Sequence, residues 1–139
     1  MKQPLTPHGP GFSFIDEIVE TREGNFIHAR KWLDPELAFF RDHFPGEPLM
    51  PGVLLIECAA QAAGALWGSI HKHAQPKRYA LAQVLQFKLQ QPALPGETLD
   101  IEVTLEKDFG ALAQFAAQLK AGEKPVAQGK IVLSQTKNQ

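Results

Sequence analysis

The chain of 139 residues is the size of one domain, and its 44% apolar content is enough to close a core. Its 14 basic and 15 acidic side chains leave a formal charge of -1 with no long Lys/Arg run, which argues against nucleic acid as a partner. A lone cysteine, Cys58, rules out an internal disulfide, and the polar, proline-containing Met1 to Pro10 lacks the apolar run of a secretory signal, so the expected home is the cytosol.

In chain order, Phe12 to Glu20 and Asn25 to Leu33 read as two strands joined by a turn at Glu23-Gly24-Asn25. Asp34-Pro35-Glu36 has an acceptor side chain at an N-cap and proline at the first helical position, which predicts one short helical turn over Leu37 to Phe40. After the loop His43 to Pro51 comes the most apolar stretch, Val53 to Trp67. It is short for a bilayer span and carries Glu57 and Gln61, so it reads as a buried helix and the chain as one without a membrane segment. Apolar residues on every side predict a helix wrapped by protein.

Four further strands follow, Tyr79 to Gln90, Thr98 to Lys107, Ala111 to Lys120 and Pro125 to Ser134. In the second of them Leu99, Ile101, Val103 and Leu105 alternate with Asp100, Glu102, Thr104 and Glu106, the period of a half-buried antiparallel strand. Pro95-Gly96, Asp108-Phe109-Gly110 and Gly122-Glu123-Lys124 mark the turns. The expected architecture is α+β, a single domain over residues 1–139 with an antiparallel sheet curled around one long helix.

Glu57 stands out chemically, because it interrupts Val53-Leu54-Leu55-Ile56 and Cys58-Ala59-Ala60 in the helix expected to be buried. Removing an ionised carboxylate from water is costly unless it is paired or protonated. An ion pair or a wet helix face is the bland explanation, and an acid–base role the sharper one. Gln61, four residues on, shares the face of Glu57 and is placed to orient it by a hydrogen bond. Before the helix, the loop Asp42-His43-Phe44-Pro45-Gly46-Glu47-Pro48-Leu49-Met50-Pro51-Gly52 is stiffened by prolines, with glycines allowing close backbone approach. A loop histidine by itself is more often an ordinary surface residue, but His43 gains meaning beside Glu57.

His43-Phe44-Pro45-Gly46, Pro48, Met50-Pro51-Gly52-Val53, Glu57 and Ala60-Gln61 together resemble the signature of the 3-hydroxyacyl-(acyl carrier protein) dehydratases of type II fatty-acid synthesis. Leu5-Thr6-Pro7-His8, Phe14-Ile15-Asp16 and Pro92-Ala93-Leu94-Pro95-Gly96-Glu97 extend the resemblance over most of the chain. It implies a hot-dog fold, acyl carrier protein as partner, and a homodimer or trimer of dimers whose sites lie at the dimer interface. It also implies His43 and Glu57 as the active pair, with Gln61 holding Glu57. A related branch that isomerises the new double bond carries aspartate at the helix position, so Glu57 favours dehydration alone.

Three features depart from or qualify that pattern. Asp42 stands where the family commonly has glycine, and the basic stretch of many members is reduced here to Lys88-Leu89-Gln90-Gln91. A separate cluster, His71-Lys72-His73 with Lys77-Arg78, reads first as a solvated loop and second as a docking patch for an acidic carrier.

Dehydration needs a base for the C2 proton and an acid for the C3 hydroxyl. Neutral His43 and protonated Glu57 fill those roles, and the backbone N–H groups near Gly52 and Val53 are expected to polarise the thioester carbonyl. No cofactor and no metal is called for. Cys58, His28, Trp32 and Trp67 read as structural. The rival functions are a thioester hydrolase on the same fold and a non-catalytic acyl-binding subunit.

Overall fold

The computed structural model describes residues 13–22, 24–42, 46–70 and 79–135. Phe12, Glu23, His43 to Pro45, the side chain of Asp42 and the cluster His71-Lys72-His73 with Lys77-Arg78 lie outside the described residues. Among the described residues, six strands and two helices follow in the order β1 (Glu17–Arg22), β2 (Phe26–Trp32), α1 (Ala38–Asp42), α2 (Gly52–Ile70), β3 (Tyr79–Leu89), β4 (Thr98–Asp108), β5 (Leu112–Ala121) and β6 (Lys124–Gln135). All neighbours are antiparallel, in the order β1-β2-β4-β5-β6-β3.

The alternation in β4 becomes burial: Leu99, Ile101 and Val103 are fully buried, and Asp100 and Glu102 lie on the other face. Ala113, Phe115, Ala117 and Leu119 continue the inner face on β5, and Ile131 and Leu133 on β6. α2 lies across this face and packs against β2, β3, β4, β5 and β6. The helix is long and apolar enough by length and composition to cross a bilayer, but 61% of its most apolar window is buried inside the protein. It is the core of the sheet, which is the hot-dog arrangement expected.

Several expectations shift in detail. β1 begins at Glu17 instead of near Phe12, because Phe14 and Ile15 are both buried, at 4% exposure each, and two successive buried side chains do not fit a half-buried strand. Asp34 does not cap the helix: its Oδ1 accepts from the Glu36 N–H at 2.9 Å and closes a turn of its own, and the helix begins later, at Ala38. α2 runs past Trp67 to Ile70, and the Ser69 hydroxyl donates to the Leu66 carbonyl in its last turn.

The wrapping of α2 is also uneven. Ala59, Ala62, Ala63, Leu66 and Trp67 are fully buried, whereas Val53 is 72% exposed, so the first turn is uncovered in the single chain. Trp32, expected to be structural, is 50% exposed at the end of β2.

Candidate active site

Pro51 caps α2. Its carbonyl accepts from the N–H groups of Leu54 and Leu55, which leaves those of Gly52 and Val53 ahead of the helical ladder, where a helix has donors to spare. The approach to this end is fixed from the side. The Met50 N–H donates to the Ala93 carbonyl at 2.9 Å, and both residues are buried. The Leu94 N–H in turn donates to Glu97, whose carboxylate also receives Lys124 Nζ at 2.9 Å. The Pro92 to Glu97 segment therefore braces the chain that enters α2. Leu89, at the end of β3, packs directly on Gly52: a Cβ there would meet Leu89 Cδ1 at 2.5 Å.

Glu57 is half-buried, one and a half turns into the helix. Gln61 Nε2 donates to Glu57 Oε2 at 2.9 Å, and the Phe14 N–H donates to Gln61 Oε1 at 2.8 Å. A backbone N–H can only donate, so it fixes which end of the Gln61 amide faces Phe14 and leaves the NH2 group for the carboxylate. Gln61 is only 3% exposed, so both ends of its amide are satisfied in the core. The expected hydrogen bond from Gln61 to Glu57 is present. Its anchor, the backbone of Phe14, is a partner that sequence reasoning missed.

Beside the carboxylate lies a cavity of about 80 Å³ lined by Glu57, Gln61, Gly64, Tyr79, Leu81 and Leu133 among others. Tyr79 was not singled out from the sequence. Its ring stacks on Trp67 with centroids 5.1 Å apart, and Trp67 is itself held by a hydrogen bond from Nε1 to Asp108 Oδ2 at 3.1 Å. Burial pushes the Tyr79 phenol above its ordinary range, and its buried hydroxyl has no hydrogen-bond partner among the described residues. The pair Gly64 and Gly68, four apart on the face of α2 toward Tyr79, was the signal available for it.

Cys58 adjoins Glu57 in sequence but is fully buried on another face of α2, and burial drives its thiol well above the ordinary range. It is a small core residue, as expected. His28 is structural too: Nε2 lies 2.7 Å from Asp100 Oδ1, which also accepts from Arg30 Nε at 2.8 Å.

Residues 6–130 match the family described as the FabA-like domain. The chain is 32% identical to the 3-hydroxyacyl-(acyl-carrier-protein) dehydratases FabZ of Klebsiella pneumoniae and Escherichia coli, over 96% of its own length and 89% of theirs. In three dimensions it is similar to a chain of the dehydratase heterocomplex ApeI:P from Xenorhabdus doucetiae, with a TM-score of 0.81 at 18% identity, covering 96% of this chain and 90% of that one. A hypothetical thioesterase with coenzyme A from Streptococcus pneumoniae shares the fold at a TM-score of 0.67 and 12% identity, over 88% of this chain and 87% of its own. This chain belongs to the FabA-like family.

Proposed function

We propose that the chain is a hydro-lyase that converts (3R)-3-hydroxyacyl-acyl carrier protein into trans-2-enoyl-acyl carrier protein in fatty-acid or related biosynthesis. The observation that carries the reading at the level of residues is Glu57, held by Gln61 at the mouth of a partly apolar cavity. The buried Gln61 amide, anchored to the Phe14 backbone, holds that carboxylate in one orientation.

In this mechanism His43 removes the C2 proton while Glu57 protonates the departing C3 hydroxyl. The N–H groups of Gly52 and Val53 meet the thioester oxygen as it gains negative charge. Gln61 positions Glu57 and touches no reacting atom. Incubation with a 3-hydroxyacyl thioester tests the reading: absorbance from an enoyl thioester supports it, whereas release of free thiol indicates a hydrolase and neither signal a binding subunit.

The second part of the reading is a dimer with shared sites. β3 forms one edge of the sheet and exposes Leu81, Val84 and Leu89 along it, and Val53 is bare on the first turn of α2. An unpaired edge of this kind is a template for a second strand. We assign it to a second copy of the chain, with His43 of one protomer facing Glu57 of the other. Inactive His43→Ala and Glu57→Gln proteins, unfolded and refolded together, should recover roughly a quarter of the wild-type activity, because about half of randomly formed dimers are mixed and each has one intact site. Mixed dimers that remain inactive would exclude the shared site.

A further inference from the structure

Glu57, Gln61, Gly64 and Gly68 are spaced by four, three and four residues, which places them on one stripe of α2. Tyr79 closes the far end of that stripe. A Cβ on Gly64 would meet Tyr79 Cδ2 at 2.8 Å, and one on Gly68 would meet Tyr79 Oη at 3.0 Å. The two glycines form a notch that admits the ring, and Trp67 stacks on the ring and prevents it from tilting away. Gly64 lies about 10 Å along the helix from Glu57, at about 1.5 Å per residue. The cavity between them holds about 80 Å³, room for two or three carbon-sized atoms if each takes roughly the 30 Å³ of a water in the liquid.

We propose that Tyr79, seated in the notch of Gly64 and Gly68, is the end wall of an acyl-chain pocket that begins at Glu57 and restricts the enzyme to short acyl chains. The direction of the chain rests on the dehydratase reading, since it puts the reacting carbons at Glu57 and the methyl end at Tyr79. The wall itself is independent of any reaction. A side chain that ends the pocket limits what binds whether or not the bound thioester is turned over.

Two substitutions move the wall in opposite directions. Gly64→Ala places a methyl group against the ring and drives Tyr79 into the cavity, while Tyr79→Ala removes the ring. Tyr79→Phe keeps the wall and deletes only the unpartnered hydroxyl. Each protein is assayed for dehydration of 3-hydroxyacyl-pantetheine thioesters from four to twelve carbons and, separately, for binding of the matching saturated acyl-pantetheine thioesters. A methylene in an apolar pocket is worth at least about 10-fold. Gly64→Ala should therefore lose at least that factor for the longest chain the wild type accepts while keeping the four-carbon compound. Tyr79→Ala should gain a similar factor for ten carbons over four, and Tyr79→Phe should leave the profile in place.

Thermal melts establish that each variant is folded, and Tyr79→Leu replaces Tyr79→Ala if the latter is not. Folded Gly64→Ala and Tyr79 variants with wild-type length profiles would overturn the proposal, as would a wild type that prefers twelve carbons. A binding profile that shifts as expected in a protein that dehydrates nothing would retain the wall and remove the dehydratase. Normal dehydration with unmoved profiles would do the reverse.

Discussion

The two ends of α2 have opposite surroundings. From Ala59 to Gly68 the helix is almost wholly buried, with Trp67 gripped between Tyr79 and Phe115, whose ring meets it edge-on at 6.1 Å. From Gly52 to Glu57 only Leu55 is buried and Val53 stands in solvent. One element thus holds the sheet together at its C-terminal end and leaves backbone donors and a carboxylate accessible at its N-terminal end. Apolar burial supplies stability in proportion to area, whereas a site for acid–base chemistry needs polar groups that substrate can reach. The residues that keep the fold and those proposed to do the chemistry therefore lie on one helix but are separable by mutation.

The strongest challenge to that separation comes at the N-terminal end. Glu57→Gln should lower dehydration by about 10²- to 10⁴-fold, the usual contribution of a positioned acid, and leave the melting temperature nearly unchanged. A large drop in melting temperature would show that the carboxylate also holds the fold. At the other end, Trp67→Ala should cost about 3–5 kcal/mol of stability in denaturant titration, as truncation of a buried aromatic does. Any activity left at low temperature should keep the wild-type pH profile.

Gln61 lies between the two ends, and its substitution should show both effects in moderation. Gln61→Ala leaves the Phe14 N–H without its partner and should cost about 1–3 kcal/mol. It should also lower kcat more than it raises KM, because it loosens the placement of Glu57 without removing it. A variant with lost stability and unaltered kcat would mean that Gln61 serves only the core.

The smallest expected effect lies away from the helix, on the outer face of the sheet. Burial pushes the Asp100 carboxyl up, but hydrogen bonds from Arg30 and His28 outweigh it and hold the group below its ordinary 3.8. A depressed carboxylate adds stability above its unfolded value and loses it as pH falls through the folded one. Melting temperature measured from about pH 5 downward should therefore fall less steeply in Asp100→Asn than in the wild type. Parallel curves would show that the cluster contributes nothing to acid stability.

Much of this was legible in the sequence where a pattern repeats. β4, β5 and β6 lie within one residue of their expected bounds, because strict alternation fixes which face is inward. The Gln61–Glu57 hydrogen bond was legible for a similar reason, since a spacing of four on a helix is itself a distance. Phe14 and Ile15 misled because an apolar pair is read as strand by composition, while its destination under α2 is a tertiary fact. Trp32 misled in the same way, as a large aromatic whose exposure depends on what covers the end of β2. Tyr79 was hidden because its meaning depends on Gly64 and Gly68, which are fifteen and eleven positions away along the chain. His43, proposed as the base, rests on the motif alone.

Cys58 gives the molecule a built-in clock. The one thiol of the chain sits fully buried on the inner side of α2, and its depressed acidity keeps it from reacting there. An alkylating reagent can therefore reach it only when the packing around it opens, so its rate of labelling counts those openings. Ligands that settle beside Glu57 and bind only the closed chain should slow that rate by as much as they stabilise it.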